Sequence, residues 1–530
     1  MEMNFAKYSV IHARHTPDKT CLIERTPSVN QRRALTWKEF NDEVNRVSNY
    51  LSKELDVKKG SIVMHLMNNS LEWLVAYFAI IKLGAIVVPL NYRFVDTDIK
   101  YSAEVSECTV FILGSDFLKF VQPIQKEMKL IKHYICVGDN VPDDMIDYKK
   151  LQSYEDSSET IVDVEPNHDL AMMFTSGTTG KPKAVMQSHY TLLNVCQGNA
   201  LSYYVQKNDN HVVYLPLYHS GAMFVWSGYF AQGACGTILR EFKDPKWIIE
   251  AIAEEKGTGI ILVVPIAIAL LNAIKNGDIK LDDYDLSNWK FTIVGAQPIP
   301  YEIIKELMEN VKPNVQNTYG LTEGGGGGTF NLYPEDVLRK PGSIGKPTFG
   351  VMAKAVDANG NEVKKGDVGE LIFSTPRMMR CYYKNQELTD ETVKDGWIYT
   401  GDLVTEDDEG FFFVVDRKKD MITSGGENIF PVEIEDAIME HPKVDDVACI
   451  GAPDDRLVEI VMAIVQLKEG ESMTEQEVID FAKTKIATYK LPRKVLFDGV
   501  MRNATGKLMK PEMREKFTGR KEAFKKISKD

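Results

Sequence analysis

Apolar and polar positions along this chain fall into two alternating rhythms. At Thr36-Trp37-Lys38-Glu39 a hydroxyl precedes a glutamate by three residues, a capping pattern that predicts a helix running towards Leu55. Residues 61–67 read as a strand, and Ser70 caps a second helix ending near Gly84. Strands follow at 86–90 and 109–113, then at 211–215, 236–240, 258–264 and 291–294. Strands and helices in such alternation predict an α/β fold of parallel sheets covered by helices. Between 340 and 415 the rhythm shortens to strands at 353–356, 370–374 and 411–415, with Gly-Asp turns, so a β-rich subdomain is expected. Past Asp416-Arg417-Lys418-Lys419-Asp420 a smaller α+β unit begins. A helix follows Pro431, strands cover 444–450 and 460–466, and another helix starts near Thr474. The expected organisation is a large N-terminal domain over 1–416, a hinge at 417–420 and a small mobile C-terminal domain over 421–530.

The longest apolar tract, between Lys256 and Lys275, is too short for a membrane span and holds Pro265. It reads as a buried strand over 260–264, with the proline in the first turn of a helix. A chain of 530 residues exceeds one core and should divide. Its net charge of -13 disfavours nonspecific contact with nucleic acid. The 7 cysteines are odd in number and never spaced Cys-x-x-Cys, which argues against a disulfide framework or structural zinc. Together with an N-terminus that does not read as a signal peptide, they predict a cytoplasmic protein.

Against that acidic background one stretch stands out. The apolar run 170–174 empties into Thr175-Ser176-Gly177-Thr178-Thr179-Gly180-Lys181-Pro182-Lys183. Small residues let backbone N–H groups approach phosphate oxygens, hydroxyls add donors, and two lysines balance the charge. Only Thr178 and Thr179 separate Gly177 from Gly180-Lys181, so this is not a Walker A loop. A polyphosphate site is the expectation.

Further segments follow in fixed order: Tyr319-Gly320-Leu321-Thr322-Glu323, Tyr399-Thr400-Gly401-Asp402, the segment from Asp416 to Asp420, Gly425-Gly426-Glu427-Asn428 and Thr505-Gly506-Lys507. On this ordered set the chain resembles the adenylate-forming superfamily of acyl-CoA synthetases, luciferases and peptide-synthetase adenylation domains. The resemblance runs from about Phe5 to Lys510. It implies ATP, Mg²⁺ and coenzyme A, and a reaction in two halves. A carboxylate first attacks the α-phosphate of ATP; CoA thiol then displaces AMP. A carboxylate is already ionised at neutral pH, so the first half needs charge neutralisation and alignment rather than a base.

The resemblance also implies roles. Thr175 to Lys183 would close over the β- and γ-phosphates, Thr322 would contact the α-phosphate, and Glu323 would hold Mg²⁺. Gly295-Ala296-Gln297 and Asn317-Thr318-Tyr319-Gly320 would line the adenine slot. Asp402 matches the ribose carboxylate, assisted by Arg417, and Lys507 matches the catalytic lysine. Lys419 matches the hinge, and Gly425 and Gly426 would line the pantetheine tunnel. Thr423 stands where luciferase-like relatives carry lysine, which weighs against that branch.

Pro216-Leu217-Tyr218-His219 matches the segment flanking the carboxylate, so His219 is expected to gate or orient the acid. Met223 and Phe224 are candidates for an apolar pocket, although core packing explains either equally. Gly324 to Gly328 form an unbroken glycine run; if it walls the acyl pocket, with Gly324 and Gly325 nearest, missing side chains would leave room for a long or bulky acid.

The expected activity is an AMP-forming acid–CoA ligase acting on a medium- to long-chain fatty acid. Alternatives are a ligase for short-chain or aromatic acids, an adenylation enzyme loading a carrier protein, and a non-catalytic binding protein of the same fold. The basic tail (Lys516, Arg520, Lys521, Lys525, Lys526, Lys529) reads as a solvated face, with CoA or an anionic membrane surface as its alternative partners. Homodimerisation is compatible with the chain.

Overall fold

Two buried helices, packed between two sheets, organise the large N-terminal part of the molecule. The computed structural model describes residues 4–175, 182–295, 300–311, 314–424, 427–454, 456–502 and 506–519. The helix Leu71–Lys82 is buried along its whole length, as its nearly all-apolar sequence requires. Ser70 caps it by accepting from the Trp73 N–H at 3.1 Å. The helix Ser220–Gln232 lies beside it, and Phe78 meets Phe230 with ring centroids 4.5 Å apart. Trp37, from the helix Trp37–Leu55, packs on Phe230, and Trp226 joins the same cluster. Burying each such side chain stabilises the fold by about 1.5–3 kcal/mol. The capping box at Thr36 and Glu39 forms as expected.

The first sheet has eight strands. Ile62–Leu66 lies between Ile86–Pro89 and Val110–Gly114, all parallel. Asp169–Thr175 adds parallel to Ile86–Pro89, then pairs antiparallel with Lys183–Ser188. Thr175 and Lys183 form the last rung of that hairpin, so both ends of the hydroxyl-rich stretch leave from one sheet corner.

The second sheet has fourteen strands. Its parallel centre runs Asn210–Val213, Gly259–Leu262, Phe291–Val294 and Asn314–Tyr319. Pro265 does open the following helix, Val264–Lys275, near its first turn. After Tyr319 the chain reverses through the glycine run. Gly326 N–H donates to the Leu321 carbonyl and Gly328 N–H to the Tyr319 carbonyl, each at 2.9 Å. The next strands, Thr329–Phe330 and Ser343–Pro347, therefore pair antiparallel. The β-rich stretch extends this sheet through Phe412–Arg417, Trp397–Glu406, Gly369–Ser374 and Met352–Val356 rather than standing apart.

Residues beyond Asp420 form a separate five-stranded sheet around Ile422, Ile434, Val461 and Val495. Its longest pair, Val444–Asp454 with Val458–Leu467, exceeds the expected strands because the hairpin keeps pairing to its tip. The helix Lys510–Thr518 returns to Asp420 and to the helix Pro431–Met439. Lys510 Nζ lies 2.8 Å from Glu435, and Arg514 pairs with Asp420. All four groups are buried, so removing one partner would leave an uncompensated charge at a cost of roughly 3–5 kcal/mol.

Candidate active site

Three parallel strands of the large sheet end at one rim, where ligands of open α/β sheets bind. Phe291–Val294 delivers Gly295, Asn314–Tyr319 delivers Thr322 and Glu323, and Asn210–Val213 leads towards His219. Gly295 has a packing reason: a methyl group there would lie 2.7 Å from the Thr318 carbonyl oxygen.

Asp402 and Arg417 face each other as register partners on neighbouring antiparallel strands. Arg417 Nε lies 3.2 Å from Asp402 Oδ1, and the Tyr319 hydroxyl donates to Asp402 Oδ2. Burial and the Asp402 charge push the Tyr319 phenol well above its ordinary pKa. It therefore stays a donor at neutral pH. Thr318 Oγ1 donates to the Thr329 carbonyl at 3.3 Å, and the Asn317 amide donates to the Ser343 carbonyl at 2.8 Å. Those two side chains tie sheet strands together, leaving Tyr319 as the member of the Asn317–Gly320 segment that reaches Asp402.

The turn after Tyr319 is held from several sides. Thr322 Oγ1 shares a hydrogen bond with Ser220 Oγ at 2.9 Å, and Gln187 donates to the Thr322 carbonyl at 2.7 Å. Glu323 Oε1 accepts from the Tyr382 hydroxyl at 2.6 Å, while the Glu323 carbonyl accepts from Met379 N–H at 2.7 Å. Lys183 stands over the Tyr382 ring, 5.3 Å from its centroid. The end of the hydroxyl-rich stretch and the Thr322-Glu323 turn are thus brought together through a tyrosine that sequence reasoning missed. Nothing in the local sequence marks Tyr382, Ser220 or Gln187; only the pairing of Cys381–Tyr382 with Lys183–Ser188 places the tyrosine there.

His219 is the N-cap of the helix Ser220–Gln232, its Nδ1 accepting from Gly221 N–H at 3.1 Å. Its Nε2 therefore carries the proton in the neutral ring. Burial pushes its pKa down to about 4, and the Lys507 charge acts in the same direction. A neutral histidine suits orienting an anion by one N–H rather than by charge.

Lys507 lies far from these residues in sequence yet acts on them electrostatically. Burial, helped by the cations of Arg417 and Lys419, lowers its pKa to about 7, while Asp402 and Asp420 pull the other way. The small unit thus places a lysine against the same centre that holds His219, Asp402 and Arg417. Half-buried Lys419 is depressed too, by desolvation first and then by the cations of Arg417, Arg514 and Lys183, against the pull of Asp420. A site where cations crowd one another enough to depress two lysines is suited to receive negative charge.

Met223 and Phe224 are core residues, as their alternative reading had it. The glycine run does not leave the room expected of it. Methyl groups at Gly325, Gly326 and Gly328 would lie 2.6 Å from the Arg377 carbonyl oxygen, 2.6 Å from Phe224 and 2.2 Å from Phe373. Gly325 and Gly326 also have positive φ, at 71° and 74°. Only at Gly324 would a methyl make an ordinary contact, 3.6 Å from Leu321. Glycine is required here because neighbours already fill the space.

Ser176, Gly177, Thr178, Thr179, Gly180 and Lys181, with Ala296, Gln297, Gly425, Gly426 and the tail from Arg520, lie outside the described residues. Among the described residues no cluster of three or more metal-ligating side chains occurs, and no helix is long and apolar enough to cross a membrane.

Residues 11–383 match the AMP-binding enzyme family, and 433–507 match the AMP-binding enzyme C-terminal domain. The chain belongs to the AMP-binding enzyme family. Among relatives of this family, the long-chain-fatty-acid–CoA ligase FadD13 of Mycobacterium tuberculosis is 32% identical over 93% of this chain and 94% of its own. The indoleacetate–CoA ligase of Aromatoleum aromaticum is 31% identical over 97% and 98%. The o-succinylbenzoate CoA synthetase of Bacillus subtilis, solved with ATP and magnesium ion, superposes with a TM-score of 0.83 at 26% identity. It covers 96% of this chain and 99% of that one. The large and small units of this AMP-binding enzyme are those of adenylate-forming enzymes.

Proposed function

We propose that this protein is an ATP-dependent, AMP-forming acid–CoA ligase. The observation that carries this reading is the placement of Lys507, from the small unit, against His219, Asp402 and Arg417 of the large one. In the first half-reaction Asp402 accepts hydrogen bonds from the ribose hydroxyls, with Arg417 and Tyr319 holding the carboxylate in place. Thr322 faces the α-phosphate, and residues 175–183 enclose the outer phosphates. Lys507 stands between the substrate carboxylate and the α-phosphate, two anions that repel until a cation joins them. A compact ammonium is suited to such a bridge. His219 orients the acid through Nε2–H.

The residues fit Mg²⁺, which commonly takes one or two carboxylates plus substrate phosphates rather than a full protein cage. Glu323 is that carboxylate, oriented by Tyr382. The ion supplies charge neutralisation to the phosphates.

In the second half-reaction we assign residues 417–420 as the hinge, with Lys419 as pivot, between the units 1–416 and 421–530. Turning the small unit withdraws Lys507 and presents Gly425 and Gly426 to CoA, so one cleft serves both steps. The acid is a fatty acid in the leading reading, supported by the likeness to FadD13. An aromatic acid is the second reading, supported by the likeness to the indoleacetate ligase. A panel from acetate to palmitate, with benzoate and coumarate, tests both by release of AMP and formation of acyl-CoA. AMP release on fatty acids is the expected result; best activity on acetate or an aromatic acid overturns the fatty-acid assignment. Adenylate formation without any acyl-CoA product would point to a carrier-protein loading enzyme.

A further inference from the structure

Residues 214–219 join the strand Asn210–Val213 to the helix Ser220–Gln232. They are held by a side chain 146 and 148 residues away from the groups it grips. Asn69 Nδ2 donates to the Leu215 carbonyl, and Asn69 Oδ1 accepts from Leu217 N–H, both at 2.9 Å. One primary amide thus takes the two backbone groups that flank Pro216, much as a neighbouring strand would. Asn69 is 7% exposed and Leu217 is fully buried, so solvent is poorly placed to substitute for it.

Asn69 is itself fixed. It precedes Ser70, the N-cap of the helix Leu71–Lys82. Leu71 N–H donates to Glu24 Oε2 at 2.8 Å, and Glu24 lies on a strand of the fourteen-stranded sheet. Arg33 ties Glu24 to Glu72 through hydrogen bonds of 2.7 and 2.6 Å. Two grips of opposite direction therefore join the sheets. Glu24 reaches from the large sheet to the start of this helix, and Asn69 reaches from there back to the large sheet's loop. Tyr92, just after the strand Ile86–Pro89, adds a contact edge-on to Tyr218, with ring centroids 5.4 Å apart.

From Leu217 the geometry passes directly to His219. The His219 N–H donates to the Pro216 carbonyl at 3.0 Å, and its carbonyl accepts from Ala222 and Met223 N–H at 3.1 Å each as the helix begins. The turn that Asn69 grips is therefore the turn that aims the imidazole. We propose that Asn69 is a positioning residue for the acid, acting through His219: it sets the Leu215–Leu217 segment so that Nε2–H of His219 faces the substrate carboxylate. This rests on the acid–CoA ligase reading above and adds to it a residue that acts through another.

The test is a double-mutant cycle of Asn69→Ala with His219→Ala, read by AMP release from the acid that wild type uses best in the panel above. Asn69→Ala should lower kcat/KM for the acid by roughly 100-fold, the scale of a misplacement of about 1 Å, with KM for ATP unchanged. In the His219→Ala background the same change should cost almost nothing further, because the group it places is already gone. Asn69→Asp keeps the size and the acceptor for Leu217 N–H, and should fall between wild type and Asn69→Ala. NMR of the histidine ring nitrogens reads the same placement without turnover. Wild-type His219 should show the Nε2–H tautomer, its Nδ1 accepting from Gly221, and Asn69→Ala should show the mixed tautomers of a loosened ring. Where Asn69→Ala does not fold, Asn69→Asp carries both measurements. Full additivity in the cycle, an equal loss towards ATP, or an unchanged His219 tautomer overturns the proposal. If wild type releases no AMP from any acid, the ligase reading fails: a shifted tautomer then keeps Asn69 as the residue that places His219, and an unshifted one sinks both.

Discussion

The rim that carries Asp402 and Glu323 and the glycine turn are built in opposite ways. At the rim charges are held by partners: Asp402 holds Arg417 and Tyr319, and Glu323 holds Tyr382. At the glycine turn packing takes that part: methyl groups at Gly326 and Gly328 would lie 2.6 Å from Phe224 and 2.2 Å from Phe373, so neighbours already fill the space. Paired charges fix direction through hydrogen bonds, whereas a close-packed turn fixes shape by excluding side chains. On the proposed reading the first serves the chemistry of the nucleotide and the second bounds the space left to the acid.

The sharpest way to break this division is Lys507→Ala. Adenylate formation, followed by pyrophosphate exchange, should fall by roughly 10²–10³-fold, as when one group stabilising transition-state charge is removed. Thioester formation from supplied acyl-adenylate should persist; equal loss in both assays would remove Lys507 from its assigned step. Next in size, Asp402→Ala should raise KM for ATP about 30- to 100-fold, through loss of charge-assisted hydrogen bonds. It should leave the ranking of acids alone. A changed ranking would mean that the two regions are not separate.

The pH profile offers a milder test. Lys507, lowered to about 7, bridges only when protonated. Its kcat/KM for adenylation should hold below pH 7 and fall about tenfold per unit above it, since this quantity reports the free enzyme. The thioester half should lack that limb. Lys507→Arg, charged throughout the range, should flatten whatever adenylation remains. Smallest of all is a pair of stability measurements. Gly328→Ala drives a methyl into Phe373 and should cost about 1–3 kcal/mol in denaturant unfolding. Gly324→Ala should stay within about 0.5 kcal/mol. Equal effects would mean that the glycine run is not close-packed.

Much of the scaffold was legible in the sequence because its signals are local. The capping pairs Thr36 with Glu39 and Thr474 with Glu477, together with Pro265 and Pro431, set helix starts that the structure keeps. The path of the β-rich stretch was not legible, since strand pairing after Phe330 depends on a reversal set by glycine hydrogen bonds. Of the candidate residues found through their ordered motifs, Asp402 and Arg417 pair and Lys507 lies within electrostatic reach of both. Tyr382 and Ser220 escaped because their importance comes from a partner distant in the chain. The glycine run was misread for a related reason. Missing side chains look like empty volume until the neighbours filling it, Arg377, Phe224 and Phe373, are known.

One rung of the large sheet has a mechanical consequence. Asp402 and Arg417 sit opposite each other, and Lys419, the pivot of the proposed hinge, lies two residues further on. A swing of the small unit would leave that rung clamped, so spent nucleotide stays moored by its sugar while the second reactant arrives. On that reading AMP would depart when its ribose hydroxyls let go of Asp402, which makes the sugar's grip the natural brake on the cycle.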